Sequence, residues 1–267
     1  MKKIALALTA LAALTGTVSA ADLAARPYTK APAPVAAVAS WTGCYVGGGG
    51  GYGIWNQENR GYDDRAALAG IGPRLQTTNM ATAGGRGYFG TGQVGCDYQF
   101  ALGSWNMLVG AFGDYDFASE KGQLNLPNTN LFGREKLSSQ WAVGGRIGWI
   151  VTPNLMTYFS GGYTEAKYDR TDFAVFPNPA SILFMNGNTY KGYFLGAGDE
   201  YALNFLPGLF WKTEYRFSQF DTKTNPLFVT ATGATTLTSI DSKKYEQSVR
   251  SELVYRFNWG GAVVAKY

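Results

Sequence analysis

The sequence predicts an all-β fold, a closed eight-stranded antiparallel up-and-down transmembrane β-barrel. Three observations predict it: strict alternation that recurs along the chain, an export signal ahead of it, and connections that alternate between short and long. The longest alternating stretch runs from Leu137 to Val151. Its odd positions are Leu137, Ser139, Trp141, Val143, Gly145, Ile147, Trp149 and Val151, and its even ones include Ser138, Gln140, Ala142, Gly144, Arg146 and Gly148. Side chains alternate faces along a strand, so one face here is apolar and the other polar or small. The stretch exceeds the usual length of soluble strands, about five or six residues, and suffices for the roughly 9 to 11 tilted residues that cross a bilayer.

The first twenty residues read as a cleaved signal peptide: Lys2 and Lys3, an apolar run from Ile4 to Leu14, and Val18-Ser19-Ala20 as a small-residue cleavage site. Residues 21–40, rich in Ala and Pro and without a period, read as a periplasmic tether, and residues 41–267 as the barrel domain. Losing two lysines leaves 21 basic against 19 acidic residues, a net charge of +2 that gives nucleic-acid binding no support. The chain has 35 Gly, 17 Tyr, 16 Phe and 7 Trp but a mean hydropathy of only -0.13, which suits strands better than buried helices.

The first strand begins at Trp41 and carries Cys44, Val46, Tyr52 and Ile54 on one face. The second, Arg86 to Phe100, sets Tyr88, Val94, Cys96 and Tyr98 against Thr91, Gln93 and Asp97. The third, Trp105 to Phe117, sets Met107, Val109, Tyr115 and Phe117 against Asp114 and Asp116. After Leu137 to Val151 come Leu155 to Ala166, Tyr190 to Leu203, Leu209 to Phe217 and Val249 to Phe257. Asp199 falls on the apolar side of the sixth and is expected near the lipid interface. The expected short connections are 101–104, 152–154 and 204–208, and the expected long ones 56–85, 118–135, 167–189 and 220–245. Short turns on one rim and long loops on the other mark an outer-membrane barrel.

A soluble sandwich also alternates. It accounts poorly for Gly and Ser on the polar face together with Trp and Tyr at strand ends, both of which a narrow lipid-facing cylinder requires. Eight strands leave room inside for side chains and not for a channel. The polar faces supply Asp97, Asp114, Asp116, Glu200, Glu214 and Glu252, with Arg146, Lys212, Arg216, Arg250 and Arg256. Charges confined there must pair, so the lumen is expected to be plugged by a polar network. A small-solute pore would instead need a wet path past Arg146, Glu214 and Arg250.

The segments AADLAARPYTKAPAPVAA, WTGCYVGGGGGYG and the closing LVYRFNWGGAVVAKY resemble the small outer-membrane immunogenic, or porin-family, β-barrels, whose membrane domain is similar to the OmpA-type eight-stranded barrel. The resemblance is strongest at the two ends and absent from the long loops. It implies an abundant cell-outer-membrane protein that supports envelope integrity and shows its loops to host or environment, with outer-membrane lipid and the barrel-assembly machinery as partners. The chain departs from the pattern at Cys44, where a bulky aromatic is usual, and at Asp199, where an apolar residue is usual.

Other motifs point elsewhere and are outweighed. Gly48, Gly50 and Gly53, and again Gly90, Gly92 and Gly95, satisfy G-x-G-x-x-G, but both fall within strands with no helix behind them to receive a phosphate. The chain contains no histidine, which removes Ser-His-Asp chemistry and the usual zinc sets, and no enzyme activity, cofactor or metal is expected. Cys44 and Cys96 share the outward parity near the short-turn rim, so an oxidising periplasm could join them. Val249 to Phe257 is the expected assembly signal, with Tyr267 as its rival. Loop-mediated adhesion to a host or environmental surface ligand would draw first on Tyr62, Phe132 and Phe228.

Overall fold

A computed structural model describes residues 40–126, 129–175 and 177–257. The stretches expected to be a signal peptide and, but for Ser40, a tether lie outside the described residues, as does Tyr267. The strands in chain order are β1 (Gly43–Asp63), β2 (Leu75–Gln76), β3 (Ala81–Leu102), β4 (Trp105–Asn125), β5 (Leu131–Thr152) and β6 (Leu155–Tyr168), then β7 (Thr171–Val175), β8 (Ser181–Met185), β9 (Asn188–Ala202), β10 (Leu209–Phe220), β11 (Lys223–Val229) and β12 (Thr235–Phe257). A single helical turn, α1 (Arg65–Leu68), follows β1.

Eight long strands pair in the order β1-β3-β4-β5-β6-β9-β10-β12, and β12 returns to β1 in unbroken antiparallel register from Cys44 opposite Phe257 to Asp63 opposite Thr238. The sheet is thus a closed ring whose walls leave no unpaired edge, the condition for strands to stand in hydrocarbon.

The polarity of the wall is inverted relative to a soluble protein. Trp141, Ile147 and Trp211 are 36%, 51% and 49% exposed, whereas Arg146 and Arg250 are 4% and 1% exposed. Outward aromatics form two belts: Tyr88, Phe117, Trp141, Tyr163, Tyr193 and Tyr215 on the long-connection side, and Tyr98, Trp105, Trp149, Tyr201, Trp211 and Tyr255 on the short-turn side. Between them face Val94, Val109, Ile147, Phe159, Leu195 and Leu253. On β12 the outward Tyr245 and Tyr255 are ten residues apart. At about 3.3 Å per residue and a tilt near 40°, that is roughly the 25 Å of an apolar membrane band. Polar handles on this skin are satisfied locally: Trp211 Nε1 donates to Ser251 Oγ at 2.9 Å and Tyr215 Oη to Gln247 Oε1 at 2.9 Å. Asp199 lies on the outer face, as its parity implies, and accepts from Thr157 Oγ1 at 2.6 Å.

The long connections differ from the sequence expectation, because much of them is strand. β4 runs on to Asn125 and β5 starts at Leu131, so the expected 118–135 loop shrinks to the five residues between them. β7, β8 and β11 build a second ring above the first. In it β5 pairs with β7, β7 with β8, β8 with β11 and β11 with β12, while β1, β3 and β4 continue upward. Inward side chains persist there, with Leu124 buried, but the outward positions change from aromatic to Lys121, Gln123 and Lys136. Leu137, expected on the outward face of Trp141, instead lies in the bore at 1% exposure, because the register shift between Leu137 and Ser139 turns β5 over. Once a strand leaves lipid its outer face turns polar, which hides its period. Two aromatics expected on free loops are consequently held in walls: Arg74 lies 4.2 Å over the Tyr62 ring, and Phe228 stacks on Phe184 at 5.3 Å. Phe132 remains 39% exposed, on β5.

Phe159 faces outward midway between the ends of β6, 67% exposed. Phe159→Arg is expected to lower unfolding stability in lipid vesicles by about 2–4 kcal/mol, whereas Gln123→Arg, above the belts, shifts it by less than about 0.5 kcal/mol. Urea titration followed by tryptophan fluorescence measures both.

Candidate functional site

The lumen is the part of the molecule whose chemistry the fold does not make routine. Inward positions come from alternate residues of every long strand, so each layer gathers side chains from three or more strands. The layers ascend from the short-turn rim.

The floor is apolar. Trp41, Leu108, Met156, Phe210 and Val254 are at most 2% exposed, and Trp41 packs against Phe210 with centroids 4.8 Å apart and the rings tilted by 52°. Trp41 has the opposite parity to Cys44 and therefore points inward. Directly above lies a closed quartet from four strands. Arg146 of β5 bonds Asp97 of β3 at 2.5 and 2.9 Å and Glu200 of β9 at 3.0 Å. Arg256 of β12 bonds the same Asp97 at 2.5 Å and Glu200 at 2.6 and 3.0 Å. Two guanidiniums thus meet two carboxylates with no formal charge left over, and Arg256 also donates to the Trp41 carbonyl at 3.1 Å. Tyr45 and Tyr158 stand 4.8 and 5.2 Å from the Arg146 guanidinium carbon and wall the quartet on its sides. Gly110 makes the fit possible, because a Cβ there would collide with the Asp97 carboxylate.

The next layer is centred on Lys212, which donates to Gln93 at 2.9 Å and lies 3.4 Å from Glu214 and 3.6 Å from Glu252. Gln93 in turn donates to Glu252, and Tyr158 Oη to Glu214 at 2.8 Å. Above it Arg216 holds Asp114 through two bonds of 2.8 and 3.1 Å and Glu214 through one of 2.8 Å. Arg250 reaches Asp116 at 3.0 Å and approaches Asp114 to 3.6 Å. Asp114 and Asp116, two residues apart, each face a guanidinium.

Four further charged residues line the lumen that the sequence reading left out: Glu120, Glu135, Lys244 and Glu246. Glu120, Glu135 and Lys244 belong to stretches read as loops. Parity marked three of the four: Lys244 and Glu246 continue the even face of Arg250 and Glu252, and Glu120 that of Asp114 and Asp116, whereas Glu135 has the outward parity of Trp141 and turns inward only beyond the register shift between Leu137 and Ser139. Lys244 donates to Glu135 at 2.8 Å and to Gln57, inside a cage of Trp55, Tyr168 and Tyr190 whose centroids lie 5.1, 4.1 and 4.9 Å from Nζ. Glu120 is fully buried beside Gly53, and neither carboxylate oxygen has a hydrogen-bond partner among the described residues. The column ends in an apolar cap of Leu124, Leu126, Phe173, Met185, Leu227 and Ile240.

On the outer face, Cys44 and Cys96 sit opposite one another on β1 and β3 and are joined by a disulfide.

A closed ring of eight tilted antiparallel strands, skinned in apolar residues between two aromatic belts and filled with ion pairs, is decisive. The chain is an outer-membrane-type β-barrel. No family model and no curated protein sequence matches it. Among solved structures it is similar to Ail, the attachment invasion locus protein of Yersinia pestis, at 12% identity and TM-score 0.32, covering 80% of this chain and 99% of that one. It is similar to the outer membrane protease OmpT of Escherichia coli at 12% identity and TM-score 0.37, covering 80% and 97%. It is also similar to Neisserial surface protein A at 10% identity and TM-score 0.33, covering 77% and 97%.

Arg256→Met leaves Asp97 and Glu200 sharing one guanidinium inside the barrel. The variant is expected to lose about 3–5 kcal/mol in urea titration, the usual effect of breaking a buried ion pair. Glu120→Met replaces a buried carboxyl that holds no hydrogen-bond partner among the described residues by an apolar side chain of similar volume and is expected to raise the unfolding midpoint. Mass mapping of the unreduced protein is expected to yield one peptide pair linked through Cys44 and Cys96.

Proposed function

We propose that the protein is a structural component of the outer membrane, non-conducting and without enzyme activity, that supports the envelope and carries an elaborated surface tier. The observation that carries this reading is the stack of lumen layers. Trp41, Phe210 and Val254 close the short-turn end, Leu124, Phe173 and Leu227 the other, and charged side chains bonded across the bore fill the space between. A pore would need Arg146, Glu214 and Arg250 to line water, whereas here each is committed to a carboxylate or guanidinium on another strand or two residues along its own. Fractionation is expected to place the mature protein with the outer membrane, in a form whose gel migration changes on boiling.

A loop-borne role in surface attachment is favoured by one feature. The β1–β3 connection presents Leu68, Ile71, Leu75 and Met80, all more than half exposed, above the level of the lipid belts. This surface and the filled bore are compatible, since one lies outside and the other within.

The purified protein in a planar bilayer is expected to give no discrete conductance steps. Regular unitary steps from the unmodified protein would replace this reading by the pore.

A further inference from the structure

One row of charges on the outer wall is unexplained by the fold. Arg86 of β3, Lys121 of β4 and Lys136 of β5 are direct cross-strand neighbours, Arg86 opposite Lys121 and Lys121 opposite Lys136. All three face outward, with Arg86 and Lys121 exposed and Lys136 half-exposed. Like charges directly opposite one another oppose strand pairing, so this alignment costs the sheet stability. Among the described residues no carboxylate lies within 4.0 Å of Arg86 or Lys121, and Lys136 has only Asp169 at 3.8 Å, both half-exposed.

Elsewhere at this height bases stand singly or beside an acid: Lys167 of β6 is exposed, faces Ser139 and Thr189 across its ladders, and has no carboxylate within 4.0 Å among the described residues. Lys191 meets Glu165 at 3.8 Å, and Lys243 stands opposite Glu58. The row of cations directly opposite one another therefore belongs to one sector, β3 to β5. Its placement identifies its counter-charge. The next outward side chain below Arg86 is Tyr88, 74% exposed, and β4 and β5 carry Phe117 and Trp141 beneath Lys121 and Lys136. These are belt residues, so the row lies at the level of lipid head groups, on the long-connection side. Three cations on adjacent strands span about 10 Å, two strand spacings, which is wider than a single phosphodiester. A soluble acidic partner would have to reach past the lipid surface to touch all three, whereas a lipid anchored against Tyr88 and Phe117 presents its head group there directly.

We propose that Arg86, Lys121 and Lys136 bind the head group of an outer-leaflet glycolipid that carries more than one phosphate. The proposal rests on the membrane orientation argued above. Its chemistry is charge-assisted hydrogen bonding from one guanidinium and two ammonium groups to phosphate oxygens, with the acyl chains lying on the apolar skin below.

The test uses the full mature chain in dodecyl maltoside, with its gel migration before and after boiling recorded for every variant. Binding of bisphosphorylated lipid A is compared for the unmodified protein, for R86Q/K121Q/K136Q, and for the matched triple K167Q/K191Q/K243Q. The first triple is expected to bind on the order of ten-fold or more weakly, and the matched triple within about two-fold of the unmodified protein. Dephosphorylated lipid A and phosphatidylglycerol are expected to bind far more weakly, and millimolar inorganic phosphate not to displace the glycolipid. Equal binding by R86Q/K121Q/K136Q and the unmodified protein overturns the proposal, and so does equal binding of the dephosphorylated lipid or displacement by free phosphate. Should the triple variant fail to fold, K121Q alone is expected to weaken binding several-fold, and its failure to do so counts equally against the site. Loss of heat-dependent migration in the unmodified protein would instead strike at the membrane reading, which separates the two failures.

Discussion

Pairing of β1 with β12 is the constraint from which the other features follow. A sheet in hydrocarbon cannot leave an edge, because each unpaired N–H or C=O there costs several kcal/mol. Closing the ring with only eight strands fixes a bore too narrow for water-filled space and too wide to be left empty. The inward positions must therefore be filled from every strand at once, and filling proceeds by complementary sizes. β1 contributes Gly47, Gly49, Gly51 and Gly53 along its inner face, beside β3 and β4, which contribute Phe89, Gln93 and Glu120. At Gly51 a Cβ would strike the Phe89 ring, and at Gly53 the Glu120 carboxylate. The glycine-rich first strand is the space into which its neighbours' long side chains extend.

That filling is ionic, which raises the question of what the ion pairs contribute. A buried pair is rarely more stable than well-packed apolar residues of equal volume, because desolvation offsets the Coulomb attraction. Their value here is better sought in register. Arg146, Asp97, Arg256 and Glu200 come from β5, β3, β12 and β9, so the quartet closes only if four strands hold their relative heights. A slip of one residue on any of them turns its charge to lipid and its apolar neighbour inward. The ionic layers thus penalise every misregistered barrel more than they stabilise the correct one.

The membrane tier was legible because lipid demands contrast: Trp141 and Trp149 alternate with Gln140, Arg146 and Gly148, and period two shows. The same contrast placed Asp97, Asp114, Arg146, Glu200, Lys212, Glu214, Arg216, Arg250, Glu252 and Arg256 on inward faces, all of which are buried. It failed above the belts. There the outward residue is as polar as the inward one, so Lys244 and Glu135 read as loop, although they hold each other at 2.8 Å in an aromatic cage. The partners within the lumen were also illegible. Which carboxylate meets which guanidinium depends on strand stagger, and sequence fixes inward or outward, not height. Face itself was misread in one place: the register shifts on either side of β5 between Leu137 and Ser139 mark a point where that strand switches parity, while β4 keeps its own through Glu120.

Both ends of the charged column are apolar, and this bears on its strength. The floor around Trp41 and Phe210 and the cap around Phe173 and Leu227 keep bulk water from the layers between them. Excluding water strengthens each satisfied pair and makes each unsatisfied group more costly, since the same low dielectric acts on both. The lower layers fit that regime: the Asp97 quartet is neutral and doubly bonded. Higher up, Glu120, Asp116 and Glu246 add carboxylates faster than Arg250 adds charge, and Glu120 holds no partner among the described residues. The lumen is consequently not uniform along its axis. Its rigid, balanced part lies toward the short-turn rim, and its least settled part lies where the membrane tier gives way to the surface tier.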